Sequence, residues 1–449
     1  MKILLISANR LTEPYPVYPL GLDYVAGAIP NHHSVQILDI NIIQQNEDIA
    51  EYIESFSPDI IGVSMRNIDN TDTLTPKGFI DDYKALVQLI KQISNASIVL
   101  GGSGFSLFPQ QLLDYVDADY GIVGEGERFS LLLDAIEHKK DSTSIPCVVT
   151  RNTSECQVLP WKQNIQRCFQ ANTDHVEFYR KHGGMFNLQT KRGCPFHCIY
   201  CTYPLIEGSE LRRSDSEQVA EMALTLQNAG AKYLFVSDSV FNSDCSHNLE
   251  IAKAFQKKGI SIPWGAFFSP IRPTKEYYTI LADSGLTHVE FGTESLSTTM
   301  LSAYHKPFTQ DHIFMAHEAA IQAGLKVAHY FLLGGPSESV ETLDETLTLI
   351  EQLTKSVFFF FCGVRIYPNT QLHRMAVSEG QISESTDLLA PVFYYSKSIR
   401  MDEIISKVQE RSLQRKNWVI GSGGNETALL LAKLYRRGYT GPLWEYLIV

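Results

Sequence analysis

The chain has 449 residues, 44% of them hydrophobic, and a formal net charge of −12 at pH 7. This length suits two or three domains with apolar cores of their own. Phosphate binding requires clustered cations, and the sequence has no block of Lys and Arg, so nucleic acid is disfavoured as a partner. The start, MKILLIS, is one strand long without a cleavage region, and no apolar run reaches the roughly 20 residues of a membrane span. We therefore expect a soluble, cytoplasmic protein with a small-molecule substrate.

Residues 1–150 alternate short apolar runs with amphipathic stretches. The apolar runs predict buried strands at 2–7, 34–40, 59–64, 97–102 and 120–124. Apolar residues at helical spacing predict helices at 78–94 and 127–138. The pattern predicts an α/β fold that begins with a doubly wound, Rossmann-like parallel sheet. Such a sheet binds its ligands at the carboxyl ends of its strands.

Residues 151–184 are polar and weakly periodic, which predicts a linker. After it the alternation resumes, with strands predicted at 186–191, 233–238, 262–269, 288–294, 326–333 and 358–367. Helices are predicted at 216–229, 248–258, 274–284, 311–323 and 340–353. Over residues 185–370 these repeats predict a partial (βα)6 barrel of TIM type, two repeats short of a closed barrel.

The tail, residues 371–449, mixes helical and irregular patterns and ends in the aromatic segment WEYLIV. We expect a mixed C-terminal cap on the mouth of the barrel, which Tyr394, Tyr395 and Trp444 would help to close. The run FFFFC (358–362) is typical of a buried barrel strand, and the lining of an apolar substrate channel is the alternative.

Three cysteines, Cys194, Cys198 and Cys201, follow the first predicted barrel strand within KRGCPFHCIYC. Barrel enzymes place their chemistry at the carboxyl ends of the strands. A structural zinc site needs four ligands, and no second cysteine pair follows in the sequence. The odd number of cysteines and the absence of an export signal disfavour a disulfide. Three closely spaced thiolates with one position left open fit a 4Fe–4S cluster best.

The CxxxCxxC spacing at this place resembles the radical S-adenosylmethionine (SAM) superfamily. The resemblance implies a 4Fe–4S cluster on the three cysteines, whose open iron binds SAM and cleaves it to a 5′-deoxyadenosyl radical. The segments SDSVF, FGTES and LLGGPSE also fall where the family binds SAM. The SAM contacts that the resemblance implies are Tyr200, Asp238, Ser239, Glu294, Ser295, Gly334, Gly335 and Glu338. Each has an ordinary alternative, because polar residues at strand ends often cap helices and glycines often form turns.

SMRNIDN (64–70), GGSGFSLFP (101–109) and GIVGEGE (121–127) resemble segments of the subclass with an N-terminal cobalamin-binding domain. The contacts to cobalamin that this implies are Ser64, Arg66, Asn67, Gly101, Gly102, Ser103, Gly104, Gly124 and Glu125. Small residues after a strand let a large cofactor approach the backbone. The DxHxxG motif that supplies a cobalt ligand in many cobalamin proteins is missing from the sequence, which leaves the lower face of the cobalt unassigned. Glu125 and Glu127 have an alternative interpretation as caps of the following helix.

These observations predict a cobalamin-dependent radical SAM enzyme, a methyltransferase acting on an unactivated centre of a small molecule or lipid. The resemblance also implies an electron donor such as flavodoxin or ferredoxin. Two alternatives stay open: radical chemistry without methylation (cyclisation, oxidation or 3-amino-3-carboxypropyl transfer), and a non-catalytic module that binds cobalamin or a metal. We predict no general base, and among the histidines we expect only His305 near the site.

Overall fold

Two predominantly parallel sheets organise the chain, in a computed structural model that describes residues 1–12, 15–43, 45–152, 156, 158–163, 165–271, 274–421 and 423–448. The first sheet has six strands, in the spatial order Ser34–Asp39, Lys2–Ser7, Ile60–Ser64, Ser97–Gly101, Tyr120–Ile122 and Val148–Val149. The last strand is antiparallel to its neighbour and the others are parallel. The predicted Rossmann-like sheet is therefore confirmed, with an additional antiparallel edge strand that the sequence reasoning missed.

Successive side chains of a strand point to opposite faces of the sheet, and here both faces are apolar. Helices cover both of them. They are Leu20–Ala28, Asn46–Phe56, Ile80–Ile93, Ser103–Leu107, Pro109–Val116 and Phe129–Glu137. Ile3 and Leu5 pack on the face covered by Leu20–Ala28 and Phe129–Glu137. Leu4 and Ile6 belong to the core on the other face.

The second sheet is the partial barrel, and it contains all six predicted strands. Its spatial order is Trp418–Ile420, Ser356–Cys362, Lys326–Leu333, Leu286–Glu294, Trp264–Phe268, Tyr233–Val236 and Met185–Leu188. The outer helices are Ser216–Asn228, Cys245–Lys258, Lys275–Asp283, Thr298–Ala303, Gln310–Gln322 and Val340–Leu349. The partial (βα)6 barrel is confirmed, and a short seventh strand extends it.

The C-terminal segment is more closely integrated with the barrel than a separate cap. It contributes the helices Gln371–Ser378, Met401–Ser412 and Gly424–Arg436 and the seventh barrel strand. The Nε1 atom of Trp444 donates a hydrogen bond to Oε1 of Glu290 at 3.0 Å, and its ring lies 5.0 Å from that of His288. Because His288 is near the start of its strand, Trp444 closes the bottom of the barrel, and the expectation that it closes the mouth is wrong. Tyr394 is buried in a ribbon between Val364–Arg365 and Phe393–Tyr394, and Tyr395 is exposed.

Between the sheets, the predicted linker contains the helix Asp174–Lys181, which the sequence reasoning missed. Residues 153–155, 157 and 164 of this linker lie outside the described residues. The domain boundaries at 150, 184 and 370 remain predictions. No helix in the described part of the chain is long and apolar enough to cross a membrane.

Candidate cofactor site

Backbone hydrogen bonds hold the loop of the three cysteines at its start and in its middle. The Cys194 amide donates to the Gly208 carbonyl at 3.1 Å, and the Ile199 amide donates to the Tyr304 carbonyl at 3.3 Å. Gly193 has φ +87°, and a Cβ there would lie 2.1 Å from the Glu210 carbonyl oxygen, so only glycine fits. The sequence KRGC therefore sets the direction in which the cysteine loop leaves the short strand Lys191–Arg192.

The chemistry of the three cysteines fits a cluster, and the separation of their sulfurs does not fit a single zinc ion. The cysteines form no disulfide, and among the described residues their sulfurs do not form a set within 4.8 Å of one another. Ligands of one tetrahedral zinc ion lie about 3.8 Å apart, since Zn–S bonds are about 2.3 Å long. Burial raises the pKa of all three thiols, that of Cys201 to about 12. Metal binding must therefore release protons here.

Beside the cysteines, Tyr200, Glu294 and Lys306 form a hydrogen-bonded group. The Glu294 carboxylate accepts from the Tyr200 hydroxyl at 2.5 Å and pairs with the Lys306 ammonium at 3.1 Å. The other Glu294 oxygen is buried and has no hydrogen-bond partner among the described residues, which fits a ligand that donates a hydrogen bond. Glu294 ends its strand with φ +57°, where the register to the next strand shifts. This local irregularity directs its carboxylate towards the cysteine loop.

Lys306 was not predicted as a site residue. Burial alone would lower the pKa of Lys306, but Glu294 and Cys198 raise it above its ordinary value, so the ammonium remains charged. The neighbouring His305, which we expected near the site, is exposed. The sequence signal was present in YHKPF, where a helix ends and the chain turns, but the direction of the turn was not readable from the sequence.

Two other predicted SAM contacts, Ser295 and Asp238, have partners inside the protein. Ser295, the first residue after the strand that ends at Glu294, is buried and shares a 2.9 Å hydrogen bond with Thr346. Asp238 is buried too, and its carboxylate accepts from Thr190 at 2.5 Å and from Lys191 at 2.8 Å. The contacts of Ser295 and Asp238 with SAM stay predictions.

The remaining predicted SAM contacts shape turns. Glu338 is buried and accepts from the Gly334 amide at 3.2 Å and from the Thr342 hydroxyl at 2.6 Å, which closes the GGPSE turn on itself. A Cβ at Gly335 would lie 2.4 Å from the Tyr304 ring, so glycine is required for packing. Ser239 donates to Glu207 at 3.1 Å. The SAM contacts of these residues also stay predictions.

A cavity of about 460 Å³ lies between the two sheets. Its volume is in the range of sites for small molecules and cofactors. The first sheet contributes seven of the nine predicted cobalamin contacts to its lining, namely Ser64, Arg66, Gly101, Gly102, Ser103, Gly124 and Glu125. The barrel contributes Asn187, Gln189, Phe235, Phe267 and Glu207, the last from the loop after the cysteines. Glu207 was not predicted as a site residue.

Asn67 and Gly104 are absent from this lining. Gly104 allows close packing, since a Cβ there would lie 2.9 Å from the Met65 carbonyl oxygen. Gly102 has φ +100°, and a Cβ there would lie 2.7 Å from that same oxygen. The GGSG segment thus holds the edge of the cavity against the neighbouring strand end.

Arg66 is exposed and lines the cavity, and within the described part of the chain its guanidinium has no hydrogen-bond partner. Burial among protein atoms lowers its pKa. Its exposure shows that this burial is incomplete and that the guanidinium stands in a concave region open to solvent. Arg66 therefore fits a cofactor that presents hydrogen-bond acceptors in the cavity.

Glu125 connects the two units. Its carboxylate accepts from Arg192 at 2.5 Å, from Arg212 at 2.6 Å and from the Trp161 amide at 2.6 Å. Burial would raise its pKa, but the two arginines hold the pKa below its ordinary value. Glu125 makes no side-chain cap, so its interpretation as a helix cap is wrong, whereas its contact with cobalamin stays a prediction.

The sequence model of the B12 binding domain family matches residues 6–132, and that of the Radical SAM superfamily matches residues 188–350. The chain belongs to the radical SAM superfamily and carries a B12-binding domain in front of the barrel. The predicted family is confirmed. Both matches also bear out the expected cofactors, a 4Fe–4S cluster, SAM and cobalamin, while the residues that contact SAM and cobalamin stay predictions.

Three curated relatives of this radical SAM protein are methyltransferases by name. An uncharacterized methyltransferase of Pyrococcus horikoshii is 26% identical over 394 residues, which are 84% of this chain and 83% of that protein. The tryptophan 2-C-methyltransferase of Streptomyces laurentii is 24% identical over 439 residues, 82% of this chain and 73% of that protein. The cytidylyl-2-hydroxyethylphosphonate methyltransferase of Streptomyces wedmorensis is 22% identical, over 86% and 84%.

Two solved structures share the fold. The radical SAM methyltransferase TsrM from Kitasatospora setae, with cobalamin and a [4Fe-4S] cluster bound, has a TM-score of 0.86 at 20% identity and covers 99% of this chain and 97% of its own. The cobalamin-dependent SAM radical enzyme OxsB has a TM-score of 0.73 at 14% identity, over 97% and 75%. At these identities the likeness shows the fold alone.

Proposed function

We propose that this radical SAM protein is a cobalamin-dependent methyltransferase that acts on an unactivated centre of a small molecule or lipid. The observation that carries the proposal is the single cavity lined by both units, bordered by the loop after the cluster cysteines. Such a cavity brings a cofactor on the first sheet and a substrate in the barrel together. The names of the curated relatives support methylation as the outcome.

Residues of the barrel would bind the cluster and SAM, and residues of the first sheet would bind cobalamin. Cys194, Cys198 and Cys201 would hold the cluster, and the carboxylate of Glu294 would orient SAM through its unpartnered oxygen. Arg66 and the backbone at Gly101 would hold cobalamin. The bound cofactors supply one-electron cleavage of SAM and methyl transfer, and the protein binds, orients and excludes water.

Aromatic side chains inside the barrel favour an apolar group near the reacting centre. Phe267 is 39% exposed although it points into the barrel, and its ring lies 5.2 Å from Phe235 and 5.8 Å from Tyr330. Both Glu290 oxygens are occupied, by the Tyr330 hydroxyl at 2.7 Å and by Trp444, and burial raises the pKa of Glu290. The inner wall therefore offers ring faces, beside a carboxyl group whose two oxygens are already occupied.

Isotope transfer tests the proposal before a substrate is known. The protein is reconstituted anaerobically with iron, sulfide and cobalamin, reduced, and given SAM with a labelled methyl group. We expect label on the retained cobalamin and an equal amount of S-adenosylhomocysteine. Formation of 5′-deoxyadenosine without S-adenosylhomocysteine would favour cyclisation, oxidation or another non-methylating reaction and would refute methylation.

The variant Cys198→Ala, with Cys245→Ala as its matched control outside the cluster loop, separates catalysis from binding. If Cys198→Ala loses 5′-deoxyadenosine formation and Cys245→Ala keeps it, the result supports a radical enzyme. If the wild type itself forms no 5′-deoxyadenosine, the result favours the non-catalytic binding module. We further propose that the electron donor is a flavodoxin or a ferredoxin and that the protein is cytoplasmic. No nucleic-acid partner is part of the proposal.

A further inference from the structure

Lys306 is a buried lysine beside the cluster cysteines, with 8% of its side chain exposed. Its ammonium lies 3.1 Å from Glu294 Oε1 and 3.3 Å from the Tyr200 hydroxyl. Its positive charge also lowers the pKa of the Cys198 and Cys201 thiols, against the effect of burial. A cation in this position acts directly on whatever the cysteines hold.

The backbone fixes Lys306 in this position. After the helix Thr298–Ala303, the chain adopts φ +55° at His305. The His305 amide donates to the Ser302 carbonyl at 3.0 Å, and the Lys306 amide donates to the Leu301 carbonyl at 2.9 Å. This pair of bonds is the Schellman ending of a helix, which reverses the chain sharply. The reversal exposes His305 and turns Lys306 inward, towards the cysteine loop.

Glu294 limits the effect of this cation without cancelling it. The carboxylate pairs with Lys306 through one oxygen, and together they place two opposite charges beside three thiolates. Reduction adds one electron to a cluster that is already surrounded by negative charge. Where water is excluded, a neighbouring positive charge favours the reduced form and a neighbouring negative charge disfavours it.

We propose that Lys306 and Glu294 together set the reduction potential of the cluster, Lys306 by raising it and Glu294 by lowering it. In this role Lys306 does not bind iron and acts on the cluster only through its positive charge. The inference rests on the proposed function only in that the three cysteines hold the cluster. The electron comes from a low-potential one-electron donor, and no bond forms or breaks in this step.

Opposite charge changes test the inference. Lys306→Met, Glu294→Gln and the double variant are reconstituted with iron and sulfide and titrated potentiometrically, with detection of the reduced cluster by electron paramagnetic resonance, in the absence of SAM. We expect a more negative midpoint for Lys306→Met, a more positive one for Glu294→Gln, and a midpoint near that of the wild type for the double variant. A general structural disturbance would move all three in one direction, and that result would overturn the inference.

Two controls complete the design. Lys407→Met removes a lysine that pairs with Asp344 at 2.9 Å on an outer helix, and it should leave the midpoint unchanged. Lys306→Arg keeps the charge and should keep the midpoint close to that of the wild type. If Lys306→Met fails to fold or to hold iron, Glu294→Gln decides alone, since an unchanged midpoint there would overturn the inference.

The outcome is separable from that of the proposed function, because the titration needs neither cobalamin nor methyl transfer. A wild type that transfers no methyl group but shows the opposite shifts would refute methylation and support the role of Lys306. A wild type that assembles no cluster would overturn both.

Discussion

The contact of Glu125 with the barrel predicts that Glu125→Gln weakens the structure strongly, although the substitution is nearly isosteric. The side chain of Glu125 is 4% exposed, and those of Arg192 and Arg212 are 8% and 14% exposed. Breaking a buried ion pair by removing one partner costs about 3–5 kcal/mol, because the other charge is left buried and uncompensated. Glu127 still pairs with Arg192 at 2.7 Å, so we expect a loss near the lower limit, about 3 kcal/mol.

Urea unfolding followed by circular dichroism measures this loss, with Glu221→Gln as the control. Glu221 pairs with Lys258 at the surface with 59% of its side chain exposed, and removing its charge should change the stability by less than about 0.5 kcal/mol. A loss below about 0.5 kcal/mol in Glu125→Gln would refute the reasoning that these ion pairs hold the two units together.

The same contact predicts a pH dependence. The pKa of Glu125 is lower in the folded protein than its ordinary value of 4.5, so its stabilising contribution is full above about pH 4.5 and is lost as the pH falls through the lower folded value. The difference in stability between the wild type and Glu125→Gln should therefore be constant at neutral pH and should shrink in acid. A difference that grows as the pH falls would contradict this assignment.

Three further variants probe the cavity and the cluster. Gly102→Ala should lower the free energy of unfolding by about 2 kcal/mol or more in thermal unfolding, because φ is +100° and the added Cβ would clash with the backbone. In the control Gly259→Ala, φ is +72° but the added Cβ meets no atom within 4 Å, so the loss should be about 1 kcal/mol. Arg66→Gln should weaken cobalamin binding in equilibrium dialysis about tenfold without lowering the unfolding temperature, and unchanged affinity would contradict its placement. Cys198→Ala should lose most of its iron by chemical analysis, while Cys245→Ala should keep the wild-type amount.

The main architecture was readable from the sequence because buried parallel strands are continuous apolar runs between helical patterns. Runs such as KILLIS and KVAHYFLL coincide with strands Lys2–Ser7 and Lys326–Leu333. The seventh barrel strand was missed because WVI is only three residues long and is a strand only through its pairing with Ser356–Cys362. Nothing local distinguishes such a segment from a loop.

The cysteine loop was predictable because its ligands are close in sequence, whereas the surrounding contacts join distant residues. Glu125 lies 67 positions from Arg192, and Tyr200 lies 106 positions from Lys306, so neither pairing was visible in a local pattern. The strand also ends within the segment FGTES, at Glu294 with φ +57°, which leaves Glu294 at the site and Ser295 in the core. A motif thus identified the right strand ends without specifying which side chains face the cofactors.

The most direct test of the central claim is an anaerobic reconstitution with iron, sulfide and hydroxocobalamin, followed by desalting and by absorbance and low-temperature electron paramagnetic resonance spectra with and without SAM. We predict one retained cobalamin per chain and a reduced 4Fe–4S signal that shifts when SAM is added. A cluster signal without retained cobalamin would contradict the role of the cavity, and the absence of any cluster signal would contradict the assignment as a radical SAM enzyme.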